Sequence, residues 1–408
     1  MSRAAPGLLR ATLTLLAGGA AAQLLPLLIG PLLTRLYAPA EFGLYHLFAA
    51  VAANLAVVAC ARYEFALPLA RDPAEADELR ALCAWLLLVT TALSAVAGVA
   101  WALALRQGWP LWLPLAVLGW GALSLATLWA TRAQRFRALA ASRVVQHGGG
   151  ALAQLAAGWA GLGVTGLIAA PLLAVAGALW LLGLPLRGLR RIDSARLRRV
   201  AHQHRDFPLL NTPHAFAGAL QDTLSIALVA GAHGAAAAGF WGLALRYLKA
   251  PATLVGSAVS QALYPALAQQ RGEQAATSAD ARAAVRRVML ALALPAAALA
   301  LLLWAFAPPA FAWAFGERWR PAGELAAALA PYIGVHFVAS PLGVVTMAWQ
   351  AQGWALKVAL VGQGCFLAAL AAGLRFGGLT VAGWSVSAVM AAFFGWYFWR
   401  LASWPVAR

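Results

Sequence analysis

Apolar stretches of about 18 residues or more recur from one end of this chain to the other, and each is long enough to cross a hydrocarbon core about 30 Å thick. Inside lipid every backbone polar group needs an internal partner, so only helices or a closed barrel can span. The runs are continuous rather than alternating, which selects helices over strands. Composition agrees, with 63% of residues hydrophobic and 11% charged, where soluble domains run nearer a half and a quarter. The expected fold is therefore an all-α polytopic membrane protein.

Setting apolar runs against their breaks predicts about twelve transmembrane helices, near residues 8–34, 42–69, 79–105, 111–131, 143–162, 164–186, 208–231, 235–267, 286–315, 321–350, 354–374 and 378–403. The first run follows Arg3 and Arg10 and contains the small residues Gly18 to Ala22, as a cleaved leader would. Leu24 to Leu33 continue it past any cleavage point, so it reads as a retained helix. The polar stretch Arg187 to Arg205 divides six helices from six, giving an N-terminal lobe over 1–186, a basic cytoplasmic linker over 187–206 and a C-terminal lobe over 207–408. Phe42, Gly43, Leu44 and Tyr45 are echoed by Ala238, Gly239, Phe240 and Trp241 at the start of each lobe's second helix. An even number of helices per lobe gives both copies one orientation, so the expectation is two pseudo-symmetric lobes around a central cavity, related by an axis along the membrane normal. Pro26, Pro31, Pro171, Pro251, Pro295, Pro331 and Pro341 fall inside spans, where each removes a backbone hydrogen bond and allows a bend.

Arginine sets the orientation. With the N-terminus in the cytoplasm, 23 of the 30 basic residues fall inside, and only Arg35, Arg106, Arg318, Arg320 and Arg375 fall outside. Both termini are then cytoplasmic. The same bias accounts for the net charge of +17 through anionic headgroups, so nucleic acid is not an expected partner. Cys60, Cys83 and Cys365 lie within apolar runs, are odd in number and show no metal-ligand spacing, so neither disulfide nor metal is expected of them.

Two stretches carry a family pattern. One is Gly30, Pro31, Leu32, Leu33, Thr34, Arg35, Leu36, Tyr37, Ala38, Pro39, then Glu41 to Tyr45, and further on Arg62, Tyr63, Glu64, Phe65, Ala66, Leu67, Pro68, Leu69. The other is Asp206, Phe207, Pro208, then Ala238 to Ala244 with Arg246 and Pro251. The chain resembles the Wzx-like oligosaccharide flippases of O-antigen and polysaccharide synthesis, within the multidrug/oligosaccharidyl-lipid/polysaccharide exporter superfamily. The resemblance implies movement of an undecaprenyl-diphosphate-linked glycan between leaflets of the bacterial inner membrane, by a monomer without a cofactor, alongside a polysaccharide polymerase. The absence of a GxxxxGK[ST] loop fits a carrier without its own ATPase.

A diphosphate and a polar glycan need an electropositive path through hydrocarbon. Arg246, about eleven residues into its helix, falls near the midplane, and Lys249 shares its face one turn on. Arg62, near the inner interface, and Arg35, at the outer end of the first helix, complete the expected substrate-binding set. Asp222 is expected either to pair with Arg246 or to take up a coupling ion; His214 and His336 are candidate proton carriers, set against the commoner case of a buried imidazole hydrogen-bonded to a neighbour. Glu64, two residues from Arg62 on a helix, would point elsewhere. Trp109, Trp112, Trp313, Trp319, Trp396 and Trp399 are expected at the membrane interfaces. Competing readings are a cation-coupled multidrug antiporter, which would favour midplane acids over bases, and a polysaccharide polymerase or ligase, which would need a large outer loop for its catalytic groups.

Overall fold

A computed structural model describes residues 6–183, 193–273 and 279–404, without the side chains of 6–18, 20, 21, 210, 214, 265 and 268–273. The expectations for Arg3, Arg187, Arg190, Arg191 and Arg408, and for the side chains of Arg10, Arg271 and His214, lie outside that description. The described residues form α1 (Pro6–Leu36), α2 (Pro39–Val57), α3 (Pro73–Leu105), α4 (Leu113–Arg132), α5 (Phe136–Val144), α6 (Gly150–Trp159), α7 (Gly163–Leu182), α8 (Ser194–Gln203), α9 (Thr212–Glu273), α10 (Ala279–Phe315), α11 (Arg320–Ala348) and α12 (Gln352–Ala402), with no strand among them.

Eight of the described helices are long and apolar enough to cross a membrane. Two of these, Ala215–Tyr264 and Gln352–Ala402, run 50 and 51 residues, about 75 Å if straight and more than twice the hydrocarbon thickness. Each is broken at one glycine: Gly234 at φ 82° and Gly378 at φ 81°, backbone angles that a side chain would disfavour. Each counts as two spans, α1 adds another, and α5 with α6 forms one rod interrupted by a π turn at Val145–Gly149. Twelve spans result among the described residues, as the sequence predicts. Their outward surfaces are apolar: Leu93, Val96 and Leu103 on α3 and Leu290, Leu294 and Leu301 on α10 are all exposed, which only a hydrocarbon solvent makes favourable.

The second span departs from expectation. It ends at Val57, not residue 69, and residues 58–62 turn before a 3-10 helix at Tyr63–Leu69. Ala61 and Arg62 lie in the left-handed region at φ 48° and 62°, at a cost of about 1–2 kcal/mol each for non-glycine residues. The Thr90 hydroxyl donates to the Ala59 carbonyl within the turn at 3.1 Å, and further contacts hold the 3-10 helix that follows. Arg132 donates to the carbonyls of Leu67 (3.0 Å), Ala70 (2.7 Å) and Asp72 (3.2 Å), and the Tyr63 hydroxyl donates to the Ala201 carbonyl at 3.1 Å. Helix α3 then starts six residues earlier than expected, because Asp72 accepts from the Glu75 amide at 2.7 Å and Pro73 fills the first helical position.

Part of the basic linker is helical. In α8, Val200 is buried, Arg199 pairs with Glu78 at 3.4 Å, and Gln203 and His204 reach the Glu75 carboxylate at 2.7 and 2.9 Å. The arginine-rich segment is thus docked on the acidic first turns of α3.

The chain forms two compact units, residues 1–223 and 224–408. The first extends past the linker because the Thr223 hydroxyl donates to the Ala50 carbonyl at 3.1 Å, tying the start of α9 to α2. Within it, the stretch from Gly30 to Tyr45 is a packed corner. Leu33, Tyr37 and Phe42 are buried, the Tyr37 hydroxyl donates to the Gln154 carbonyl at 2.7 Å, and Glu41 accepts from the Ala38 amide at 2.7 Å to cap α2. In the second unit Trp241 is buried edge-on to Phe366, with centroids 6.3 Å apart. Trp313, Trp396 and Trp399 face outward as expected, whereas Trp109 and Trp319 are buried against Phe48 and Trp101, and against Phe240. These two indoles pack the lobe interior instead of anchoring an interface.

Candidate functional site

A cavity of about 220 Å³ lies inside the first unit, between α1, α4 and the α5–α6 rod. Its polar wall is Gln23, Thr127, Ser142, Arg143, Gln146 and His147, and Gly19 and Leu123 supply part of the remainder. Arg143, Gln146 and His147 follow at i, i+3 and i+4, the spacing that brings side chains to one helix face. The π turn they enter is an irregularity that often marks functional positions.

Glycine makes room for it. A β-carbon on Gly148 would stand 2.7 Å from Leu25 Cδ1, and one on Gly150 would stand 3.6 Å from Pro171 Cα. The rod therefore packs closely against α1 and α7, with Gln23 brought to the cavity wall. Gly19 leaves space at the guanidinium, since its β-carbon would lie 3.7 Å from Arg143 Nη1.

The wall offers a permanent cation, an imidazole, two amides and two hydroxyls, of which Ser142 already donates to the Leu139 carbonyl at 2.9 Å. Such a set suits anionic or hydroxyl-rich groups, because a charged donor bonds an anionic oxygen about twice as strongly as a neutral donor bonds a neutral acceptor. At a rise of 1.5 Å per residue, Arg143 stands about 10 Å and His147 about 16 Å along the rod from the arginine-rich turn at 132–137. The volume would hold a phosphate group or one sugar ring, and is below the range of drug-sized ligand sites.

None of the cations expected from sequence lines this cavity. Arg35 is exposed at the last turn of α1, about 24 Å along the helix from Gly19. Arg62 sits in the left-handed turn, not twenty residues into a helix, with its guanidinium 4.1 Å from the Phe65 ring centre. Asp222 is exposed in the first half of α9. Arg246 and Lys249 are half-buried in the second half of α9, in the other unit. His336 lies tilted against the rings of Tyr332 and Phe394, with centroids 5.6 and 6.3 Å away.

Arg143 is the first residue of a predicted span and one of the 23 inner-side cations, so charge and position alone do not single it out. The signal that sequence reading missed is a polar pair, Gln146 and His147, running directly into three glycines within an apolar span. It also missed a buried cluster: ligand atoms of Cys60, Glu64 and Cys83 lie within 4.8 Å of one another. The helical-wheel argument that turned Glu64 away does not apply, because residues 58–62 are not helical.

Solved structures share this architecture. An inward-facing multidrug resistance MATE family transporter of the MOP superfamily superposes with a TM-score of 0.63 at 13% identity, covering 96% of this chain and 94% of that one. The lipid II flippase MurJ in an inward closed conformation gives 0.69 at 10% identity, over 95% of this chain and 89% of that one. A mutant of the Vibrio cholerae MATE transporter VcmN gives 0.57 at 16%, over 97% and 95%. At these identities the likeness is one of fold. No curated protein matches the chain. A family model described as polysaccharide biosynthesis protein matches residues 32–324, which takes in the α1–α2 corner, the cavity rod and all of α9, and on that match this chain, a multi-pass membrane protein with the fold of the MOP superfamily, belongs to the polysaccharide biosynthesis protein family.

Proposed function

We propose that the protein translocates an undecaprenyl-diphosphate-linked oligosaccharide from the cytoplasmic to the outer leaflet of a bacterial inner membrane, by alternating access and without a catalytic step. The observation that carries this reading is the match to the polysaccharide biosynthesis family over most of the chain. The fold shared with a lipid II flippase supports it, as do cationic and hydroxyl groups set within membrane-spanning helices. Arg143 with Gln146 and His147 would receive diphosphate or glycan oxygens in the first unit. Arg246 and Lys249 would supply positive charge in the second. Placing the arginine-rich turns in the cytoplasm follows from the positive-inside bias. A cation antiporter is disfavoured by the cavity itself, where Arg143 would repel a cationic drug.

Arg143→Gln and Arg246→Ala test the reading in cells that depend on this protein for a surface polysaccharide. Both should cause lipid-linked oligosaccharide to accumulate on the inner leaflet at an unchanged protein level. Wild-type polysaccharide output from both variants would remove the assignment.

A further inference from the structure

Three side chains that translocation leaves unused meet in the core of the first unit. Cys60 follows the end of α2, Glu64 opens the 3-10 helix, and Cys83 lies on α3. Their two sulfurs and a carboxylate oxygen lie within 4.8 Å of one another, and the three residues are 2%, 2% and 0% exposed. Ser124 Oγ donates to Glu64 Oε1 at 3.4 Å, and Oε2 has no hydrogen-bond partner. A carboxylate oxygen buried in that way is expensive unless another group satisfies it. The strained turn at Ala61 and Arg62 carries the chain from α2 into this arrangement, so the backbone is bent where the three side chains converge.

We propose that Cys60, Glu64 and Cys83 bind one thiophilic divalent cation of the zinc class, which fastens the end of α2 to α3. Thiolate sulfur and carboxylate oxygen are ordinary zinc ligands at about 2.3 and 2.0–2.2 Å, so neighbouring ligand atoms in a tetrahedral site stand about 3.3–3.8 Å apart. The present cluster reaches that spacing by closing about 1 Å. Calcium and magnesium prefer oxygen-only shells of six or more ligands, which two sulfurs cannot supply. Binding releases the two thiol protons. Two thiolates and a carboxylate around a divalent ion leave one negative charge. Arg62 stands next to it in the chain, with a buried Nε that has no hydrogen-bond partner and a guanidinium charge that acts on Glu64. Ser124 Oγ bonds the carboxylate through Oε1, and the fourth zinc position is left to a water or hydroxyl.

The test uses the full chain purified in detergent. Elemental analysis should find one zinc per chain, and exchange with Co²⁺ alone should give thiolate-to-cobalt charge-transfer bands. The double variant C60S/C83S should lose both signals while eluting as the wild type does, and E64Q should hold zinc at least tenfold more weakly. A wild-type protein without bound zinc and without charge-transfer bands on Co²⁺ addition overturns the proposal, whatever the variants do. Metal that persists in C60S/C83S overturns it equally. Neither readout depends on what the protein transports.

Discussion

Replacing Arg132 with alanine should loosen the first unit more than any other single change to its arginine-rich end. The guanidinium bonds three backbone carbonyls where the 3-10 helix gives way to α3, two of them at 3.0 and 2.7 Å and the third at 3.2 Å. Hydrogen bonds from charged donors contribute about 1.5–3 kcal/mol each. Counting only the two shorter ones, and allowing for water reaching the carbonyls of a half-buried site, the loss is about 2–4 kcal/mol. In a unit of this size about 2–4 °C of melting temperature goes with each kcal/mol, so Arg132→Ala should melt roughly 5–15 °C below the wild type in detergent, followed by size-exclusion after heating. Arg132→Lys should recover about half of that, because a single ammonium lacks the fork that reaches several carbonyls together. An alanine variant as stable as the wild type, or a lysine variant no better than alanine, would refute the argument that this side chain holds the 3-10 helix to the start of α3.

Gly19→Leu should abolish polysaccharide export at normal protein level by filling the cavity beside Arg143, while Gly19→Ala, whose β-carbon meets Nη1 at an ordinary 3.7 Å, should export normally. Gly158→Ala should destabilise by about 1–3 kcal/mol, because its β-carbon would stand 2.8 Å from Tyr37 Cε2 and 3.1 Å from Leu36 Cβ; thermal melting reads the loss. The Arg320 guanidinium beside Glu317 holds its carboxyl below the usual range. Its small contribution is therefore present above the ordinary carboxylate pKa and is lost as pH falls through the lowered value, so Glu317→Gln should lower the melting temperature slightly at neutral pH, leave it unchanged in strong acid and so flatten the acid side of the profile.

Span number and type were legible because hydrocarbon imposes them: any 20-residue apolar run has one satisfactory conformation there. Even the glycine breaks at Gly234 and Gly378 fall where the predicted seventh and eleventh spans end. The end of α2 was not legible, because apolar residues continue through Tyr63 to Leu69 and tertiary bonds, from Thr90 to Ala59, from Arg132 to Leu67 and from Tyr63 to Ala201, hold the backbone aside. The linker helix α8 was hidden for the opposite reason, since its arginines read as loop until acids on α3 meet them. Charge alone guided the choice of candidate residues, and it favoured Arg246 over Arg143 because depth was counted from helix starts. What sets Arg143 apart is the company of Gln23 and Thr127 on other helices, a relation that no local pattern contains.

The single-residue joints at Gly234 and Gly378 bear on how the second unit can move. His233, next to the first joint, is hydrogen-bonded through Nε2 to the Leu374 carbonyl at 3.1 Å, and its Cε1 lies 3.9 Å from where a β-carbon on Gly378 would be. Two hairpin tips are thereby pinned together, with no slack chain on either side to take up rotation. A joint of this kind passes torque from one pair of rods to the other, so a bend in these rods is expected at their far ends or at Pro251 of α9.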